Sequence, residues 1–377
     1  MSNFEKEQIL SNAPSPHIPE KLPFDYSSLL SNDLSLIKVL SEANQAIGEY
    51  KGYLNNVINP SLLISPLISQ EAVLSSKLEG THATLEDLLN FDANIHSGLD
   101  RDEVHEVSNY RASLFYALNH ISTINHHDNK LPLSGRIIKE MHKILLNNVR
   151  GESKRPGEYK RQQNYIVSAN GIVYTPLPSN LVDEYISNLE EYIHFDDFNI
   201  LLQTAVIHCQ FEMIHPFEDG NGRIGRLLIP LFLFYREVIP LPTFYMSSYF
   251  NQNRGLYLEN LSSVSLRNDW GPWFKYFLNG IIYSSKESTI KAIKINELYE
   301  NMKNDVVSEA HSSHGIQVLD YIFKHPVFKA KQISKDLNIN IRTIYKILGN
   351  LVNNKLLDTD DNKRNVTYVC VKLIKLL

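Results

Sequence analysis

The sequence predicts a mainly helical protein, with one small β-hairpin set into a helical core and a separate small module at the C-terminal end. Three observations carry that expectation. Apolar residues recur at spacings of three and four through most of the chain as far as residue 304. One stretch, NYIVS and IVYT around Asn170-Gly171, follows a strand-like pattern about a dipeptide that supplies two positive-φ residues for a tight turn. Residues 311–377 hold eleven Lys/Arg against five Asp, so this segment carries +6 where the rest of the chain carries −11.

In chain order, residues 11–24 (SNAPSPHIPEKLPF) contain four prolines and read as an extended lead-in lying on the surface of something larger. Helical periodicity then runs over 34–58 and 62–79. Gly80 suits the left-handed cap of the second helix, and Thr84 with Asp87 forms a capping box for the next, over 84–96. Helices follow at 103–122 and 134–148, the hairpin at 164–175, and further helices at 180–193, 198–214, 223–237, 252–263 and 270–284. A charged helix over 286–304 leads to a Ser/His-rich joint, HSSHG, which marks a domain boundary. Beyond it, three short helices and the hairpin-like KRNVTYVCVKL resemble a winged helix-turn-helix in layout. In that fold the third helix, Ile341–Asn353, would offer Arg342, Thr343, Tyr345 and Lys346 to a groove of DNA. Such modules also mediate protein contacts and dimerisation.

Composition excludes several classes. Two cysteines, Cys209 and Cys370, make neither a disulfide framework nor a thiolate metal cage. The most apolar run, LLIPLFLFY at 227–235, is far too short to span a bilayer, and the N-terminus has no basic start followed by an apolar core. A soluble, unexported protein of a reducing cytoplasm is expected.

The chemistry concentrates in HPFEDGNGRIGR, residues 215–226. Gly220, Gly222 and Gly225 spell the dinucleotide fingerprint, but that motif requires a strand before it, and NILLQTAVIHCQFEMI reads as a buried helix. His208, Glu212 and His215 share one helical face and could hold a metal, although packing and pairing account for them equally well. Phosphate recognition uses more of the stretch. A helix starting near Gly222 or Arg223 presents free N–H groups and an effective charge of about +0.5 to an anion. Glycines at 220 and 222 let the backbone approach it, Asn221 adds an amide, and Arg223 and Arg226 add two guanidinium forks. A polyphosphate would use all of these. Its charge calls for Mg²⁺, for which Asp219 is placed as a ligand. His215, with an unperturbed pKa of about 6.5, stands ready to take a proton from a hydroxyl, while Phe217 turns inward and pins the loop.

HPFEDGNGRIGR matches every specified position of the Fic signature, H-P-F-x-D/E-G-N-G-R-x-x-R, and the chain is identified as resembling that family. KRPGEYKR before the hairpin, TPLPSNL after it, and Ser247, Tyr249 and Asn253 extend the resemblance over about residues 20–290. The resemblance implies transfer of the AMP moiety of ATP to Ser, Thr or Tyr hydroxyls of target proteins, including this chain itself. It implies His215 as general base, Asp219 on Mg²⁺, and Gly220, Asn221 and Gly222 at the α-phosphate. Arg223 and Arg226 would grip the outer phosphates, with Ile224 and Gly225 completing the nucleotide site. Tyr249 and Asn253 would lie near adenine, although core and cap roles serve them equally. The hairpin residues Ile166 and Val167 would register an extended target segment by strand addition. A kinase-like branch carries Lys at the position of Gly222, so that branch's nucleotide orientation is not expected. Pro230, within the helix that follows, departs from helical preference and should kink it or remove a hydrogen bond.

Glu79 closes the reading. It sits in the last turn of its helix, where the macrodipole disfavours an acid and a cationic partner is wanted; any nearby lysine would serve. Ser75, Glu79 and Gly80 also match S/T-x-x-x-E-G/N, the inhibitory-helix motif of Fic proteins. This implies a salt bridge from Glu79 to Arg226 at the γ-phosphate position, with Ser75 bonding the loop. The expected organisation is an N-terminal helical region over 1–110 with its inhibitory helix at about 62–79, a Fic core over 111–290, and the winged module over 311–377. Alternatives are a nucleotide-sensing regulator that binds DNA through residues 311–377, and removal of AMP from modified proteins. A homodimer is also compatible.

Overall fold

A computed structural model describes residues 13–57, 59, 61–95, 101–124, 130–168, 171–310, 314–360, 362 and 365–377. It is mainly helical with two small antiparallel sheets among the described residues. The lead-in is extended and lies on the body of the protein: the His17 N–H donates to the Thr175 carbonyl, and Leu22 exchanges two hydrogen bonds with the Asn188 side chain. A short α1 (Ser27–Asn32) precedes α2 (Leu34–Asn56), which Asp33 caps by accepting from the Ser35 and Leu36 N–H groups. Its buried stripe, Leu36, Leu40, Ala43, Ile47, Tyr50 and Leu54, recurs at three and four as the sequence requires.

Helix α3 (Ser61–Leu78) ends where expected. Gly80 takes φ +92°, and the Thr84–Asp87 capping box opens α4 (Leu85–Asp92). Helices α5 (Arg101–His120) and α6 (Gly135–Leu145) pack against each other before the hairpin of β1 (Ile166–Ser168) and β2 (Gly171–Tyr174). A register shift lies between Ile166 and Val167. Asn170, half of the expected turn, is outside the described residues. Helix α7 (Val182–His194) then leads to α8 (Ile200–Ile214), which is buried on nearly every side and forms the centre of the core. Helix α9 (Asn221–Tyr235) follows and stays continuous through Pro230.

Two expectations need correction after this point. The helix expected over 252–263 is α11 (Arg254–Arg267), and a further short helix that was not expected, α10 (Ser247–Gln252), precedes it with Asn253 between them. The two helices over 270–284 and 286–304 are one, α12 (Trp270–Ala310), of 41 residues. At about 1.5 Å per residue it runs roughly 60 Å. Nothing in Ser284-Ser285-Lys286 stops a helix, so the change from aromatic to charged composition marked a change of surroundings and not an end.

The joint at 311–313 lies outside the described residues. The module after it comprises α13 (Gly315–Lys324), β3 (Val327–Lys329), α14 (Ala330–Asp336), α15 (Ile341–Asn353), β4 (Asp358–Thr359), β5 (Thr367–Val369) and α16 (Val371–Ile374). Its strand order is β3-β5-β4: among the described residues of the hairpin-like KRNVTYVCVKL only β5 is a strand, and it pairs with β4 ahead of that stretch and with β3. The module docks on the N-terminal helices. The Ser65 hydroxyl of α3 donates to the Lys324 carbonyl at 2.9 Å, and the Gln332 amide donates to the Asp92 carbonyl at 3.2 Å.

Candidate active site

The loop 215–220 is held from inside. Its first residue, His215, leaves α8 at φ +49°, and its last, Gly220, caps α9 at φ +77°. Phe217 is fully buried and stacks on His142 of α6, ring centroids 3.7 Å apart and planes 6° from parallel. His142 Nδ1 accepts from the Gly157 N–H at 2.9 Å, which leaves Nε2–H to donate to the Asp219 carbonyl at 2.9 Å. Burial lowers the pKa of His142 to about 4, so it works as a neutral brace. The side chain of Asn221 does the same work. Its amide oxygen accepts from the Phe217 N–H and its amide nitrogen donates to the Phe217 carbonyl, both at 2.8 Å. This bears on the expected role of Asn221: its side chain is taken up in shaping the loop.

One contact orients the His215 ring. Its Nδ1 lies 3.3 Å from the Glu212 carbonyl, a contact that fixes the proton there and leaves Nε2 as an acceptor. Burial, with the nearby Lys160 charge second, lowers its pKa to about 4, so the ring is neutral at pH 7. Lys160 is itself buried, which lowers its pKa to about 7. Its Nζ donates to Asn164 Oδ1 at 2.7 Å and to the Ile214 carbonyl at 3.2 Å, while the Asn164 amide donates to the carbonyls of His215 and Phe217. The metal triad imagined from spacing does not form. His208 is wholly buried between the Gly225 carbonyl and the Tyr257 hydroxyl, and His215 has left the helical face through its positive φ. Among the described residues no cluster of three or more His, Cys, Asp or Glu side chains could hold a metal.

Neither arginine projects freely. Arg226 is buried, and its Nη2 donates to Glu79 Oε1 at 2.7 Å and to the Ser75 carbonyl at 3.0 Å, while its Nε donates to Ser75 Oγ at 2.8 Å. Ser75 therefore holds the arginine and not the loop. Burial opposes ionisation of Glu79, but Arg226 outweighs it and holds the carboxyl below the ordinary glutamate range. The glycines explain how the acid fits. A Cβ at Gly222 would lie 2.3 Å from Glu79 Oε1, and one at Gly225 would lie 2.2 Å from Glu212 Oε1. Ile224, between them, is buried in the core. Arg223 is also buried, 3.5 Å from Glu106 and 3.6 Å from Asp219.

Asp219 Oδ1 accepts from its neighbour's N–H at Gly220, and the side chain is partly exposed. One open carboxylate beside a helix N-terminus fits Mg²⁺ that keeps water and phosphate oxygens, and does not fit an all-protein metal cage. Tyr249 packs against Tyr276 and Tyr283 of α12, and the Asn253 amide donates to the Tyr249 carbonyl. Both side chains are half-buried. Residues of this region reach α3: Ser247 bonds Glu71, and Asn251 donates to the Leu74 carbonyl at 2.7 Å. On the hairpin, Val167 is 61% and Ile166 37% exposed. No helix among the described residues is long and apolar enough to cross a membrane.

Comparisons with known proteins bear on the family and the fold. Residues 37–119 match the description Fic/DOC family N-terminal, residues 132–233 match Fic/DOC family, and residues 301–370 match TFIIE alpha subunit. A probable protein adenylyltransferase of Aquifex aeolicus is 31% identical over 75 residues, 20% of this chain and 22% of that protein. The protein adenylyltransferase fic-1 of Caenorhabditis briggsae is 26% identical over 148 residues, 37% of this chain and 27% of that one. The chain thus spans only about a quarter of the length of these relatives. Among solved structures, a Fic family protein from Desulfovibrio desulfuricans G20 superposes with a TM-score of 0.60 at 16% identity, over 90% of this chain and 96% of that one. Fic-1 from C. elegans gives 0.53 at 20% identity, over 71% and 75%. At such identities these two likenesses speak for the fold.

Proposed function

From the premise that this chain is a Fic-domain protein, we propose that it transfers AMP from ATP to hydroxyl side chains of target proteins, itself among them, and that Glu79 restrains the reaction. The observation that carries the reading is a neutral imidazole, its Nε2 unpartnered among the described residues, beside a glycine-bounded helix N-terminus. His215 would take the proton of an incoming Ser, Thr or Tyr hydroxyl as its oxygen bonds to the α-phosphorus. The bond from that phosphorus to the β-bridging oxygen breaks and pyrophosphate leaves. The N–H groups at the start of α9, with Gly220 and Gly222, would carry the α-phosphate charge, and Arg223 and Arg226 the outer phosphates. Mg²⁺, bound through Asp219, would neutralise the polyphosphate. Val167 and Ile166 would hold the target segment in line.

Glu79 opposes all of this by supplying its own carboxylate to Arg226 and lying over Gly222. It competes with a phosphate for one seat. The test is incubation with α-labelled ATP and Mg²⁺. Label should enter protein, and His215→Ala should reduce it by about 10²- to 10⁴-fold; undiminished labelling by that variant overturns the assignment.

A second reading concerns the C-terminal module. Helix α15 buries Ile344, Ile347, Leu348 and Leu351 and leaves Arg342, Tyr345 and Lys346 exposed, the face a recognition helix would present to DNA. A salt-dependent shift of a DNA duplex by the full chain, lost in Arg342→Ala/Lys346→Ala, would support it, and no shift at low salt would remove it.

A further inference from the structure

Arg226 has its restraint in Glu79. Arg223, one turn earlier on α9, has a different one. Its Nη1 lies 3.5 Å from Glu106 Oε2 on α5, its Nη2 lies 3.6 Å from Asp219 Oδ1, and its buried Nε has no hydrogen-bond partner among the described residues. Glu106 is buried, with an exposure of 3%, and both its oxygens are engaged. The Thr81 hydroxyl donates to Oε2 at 3.1 Å, and the Nε of Arg150, a largely exposed side chain, lies 3.6 Å from Oε1. Thr81 thereby fixes the carboxylate's position, and Arg150 shares its charge.

We propose that Glu106 is a positioning residue for nucleotide binding: it holds the Arg223 guanidinium at the cradle and shares its charge with Asp219. This rests on the reading of the 215–226 loop as an ATP site. The physical case is a division of labour between two carboxylates. A buried guanidinium needs compensation. Without Glu106 the near carboxylate left to Arg223 is Asp219, and the arginine would turn towards it, drawing that carboxylate inward and leaving the place where phosphate oxygens would meet the unpartnered Nε. Glu79 and Glu106 differ in kind. Glu79 stands just past a helix end with its side chain 37% exposed, free to leave, while Glu106 lies in the middle of a helix and stays.

The experiment uses the full chain carrying Glu79→Gly, so that the first restraint is absent, with and without Glu106→Gln. Glutamine keeps the shape and an acceptor for Thr81 and removes the charge. Calorimetric titration with Mg·ATP should show binding weakened about tenfold by Glu106→Gln, and the KM for ATP should rise by the same factor with kcat changed less than about threefold. An unchanged Kd overturns the proposal, as does a fall in kcat at constant KM. A lowered melting temperature with ATP affinity intact makes Glu106 a packing residue and overturns it too. Should the Glu79→Gly parent bind ATP yet transfer no AMP, the transfer reading fails, while the comparison of Kd values still decides the role of Glu106.

Discussion

Glu79 and Arg226, 147 positions apart in the chain, meet through a single contact of 2.7 Å between Oε1 and Nη2, inside the space that the missing side chain of Gly222 leaves open. The acid thereby occupies ground next to the N-terminal turn of α9, where an incoming phosphate would also find positive potential.

Removing that acid should release activity. Glu79→Gly is expected to raise AMP transfer by on the order of tenfold or more, because it frees Arg226 and takes away no group of the proposed chemistry. Combined with His215→Ala it should be inactive. Initial rates with α-labelled ATP decide the matter, and equal rates for wild type and Glu79→Gly at saturating ATP would return Glu79 to an ordinary carboxylate. If Glu79 instead orients a water for AMP removal, Glu79→Gly would lose release of AMP from pre-labelled protein.

The pH profile should carry the signature of a base that its surroundings keep neutral. With the His215 pKa lowered to about 4, its base form persists well below the usual histidine range. Transfer by Glu79→Gly should therefore hold its rate down to about pH 5 and fall only below that. An acid limb centred near pH 6.5 would show that the ring titrates as an exposed histidine.

A proline on the hairpin separates docking from stability. Val167 is 61% exposed, so Val167→Pro removes a main-chain donor from the hairpin with little loss of core. Labelling of partner proteins should fall at a melting temperature within about 2 °C of wild type, a change under roughly 1 kcal/mol. Equal loss of labelling and stability would mark the hairpin as structural.

Glu71 predicts a pH-dependent stability. Burial raises its pKa to about 7, Oε2 has no partner among the described residues, and Oε1 accepts from Tyr110 and Ser247. Because the folded pKa is raised above the unfolded value, the neutral acid's contribution is complete below about pH 4.5 and is lost as the pH climbs to 7. Glu71→Gln should therefore be more stable than wild type at pH 8, by on the order of 3 kcal/mol, and similar at pH 4. Urea unfolding at the two pH values checks it; the same difference at both would mean that the titration is not involved.

Much of this was legible before any coordinates. Periodicity located the helices, and Gly80, Thr84 and Asp87 marked the end of one and the start of the next because cap chemistry is local. The motif gave His215, Asp219 and the two arginines. What stayed hidden depends on distant chain segments meeting. His142 reads as one residue of an amphipathic helix until Phe217 is laid across it, and Glu106 as one of several acids on α5 until Arg223 arrives. Lys160 stands in KRPGEYKR, which carries part of the resemblance; its burial near His215 depends on the fold. Asn221 misled for the opposite reason, because a local amide bond with Phe217 consumed a side chain whose type suited a ligand equally well.

The void over Gly222 also determines what mutation can separate. Any side chain there would meet Glu79 first, so a substitution that evicts this acid simultaneously fills the place where a phosphate would come close to the backbone. Restraint and turnover share one codon at position 222 and cannot be inherited independently through it. At position 79 they can. A lineage could lose its restraint there in a single step and keep every group of the proposed chemistry, whereas a change at 222 would alter the nucleotide's seat as well, so diversity of restraint alone should accumulate beside Glu79 and not on the loop.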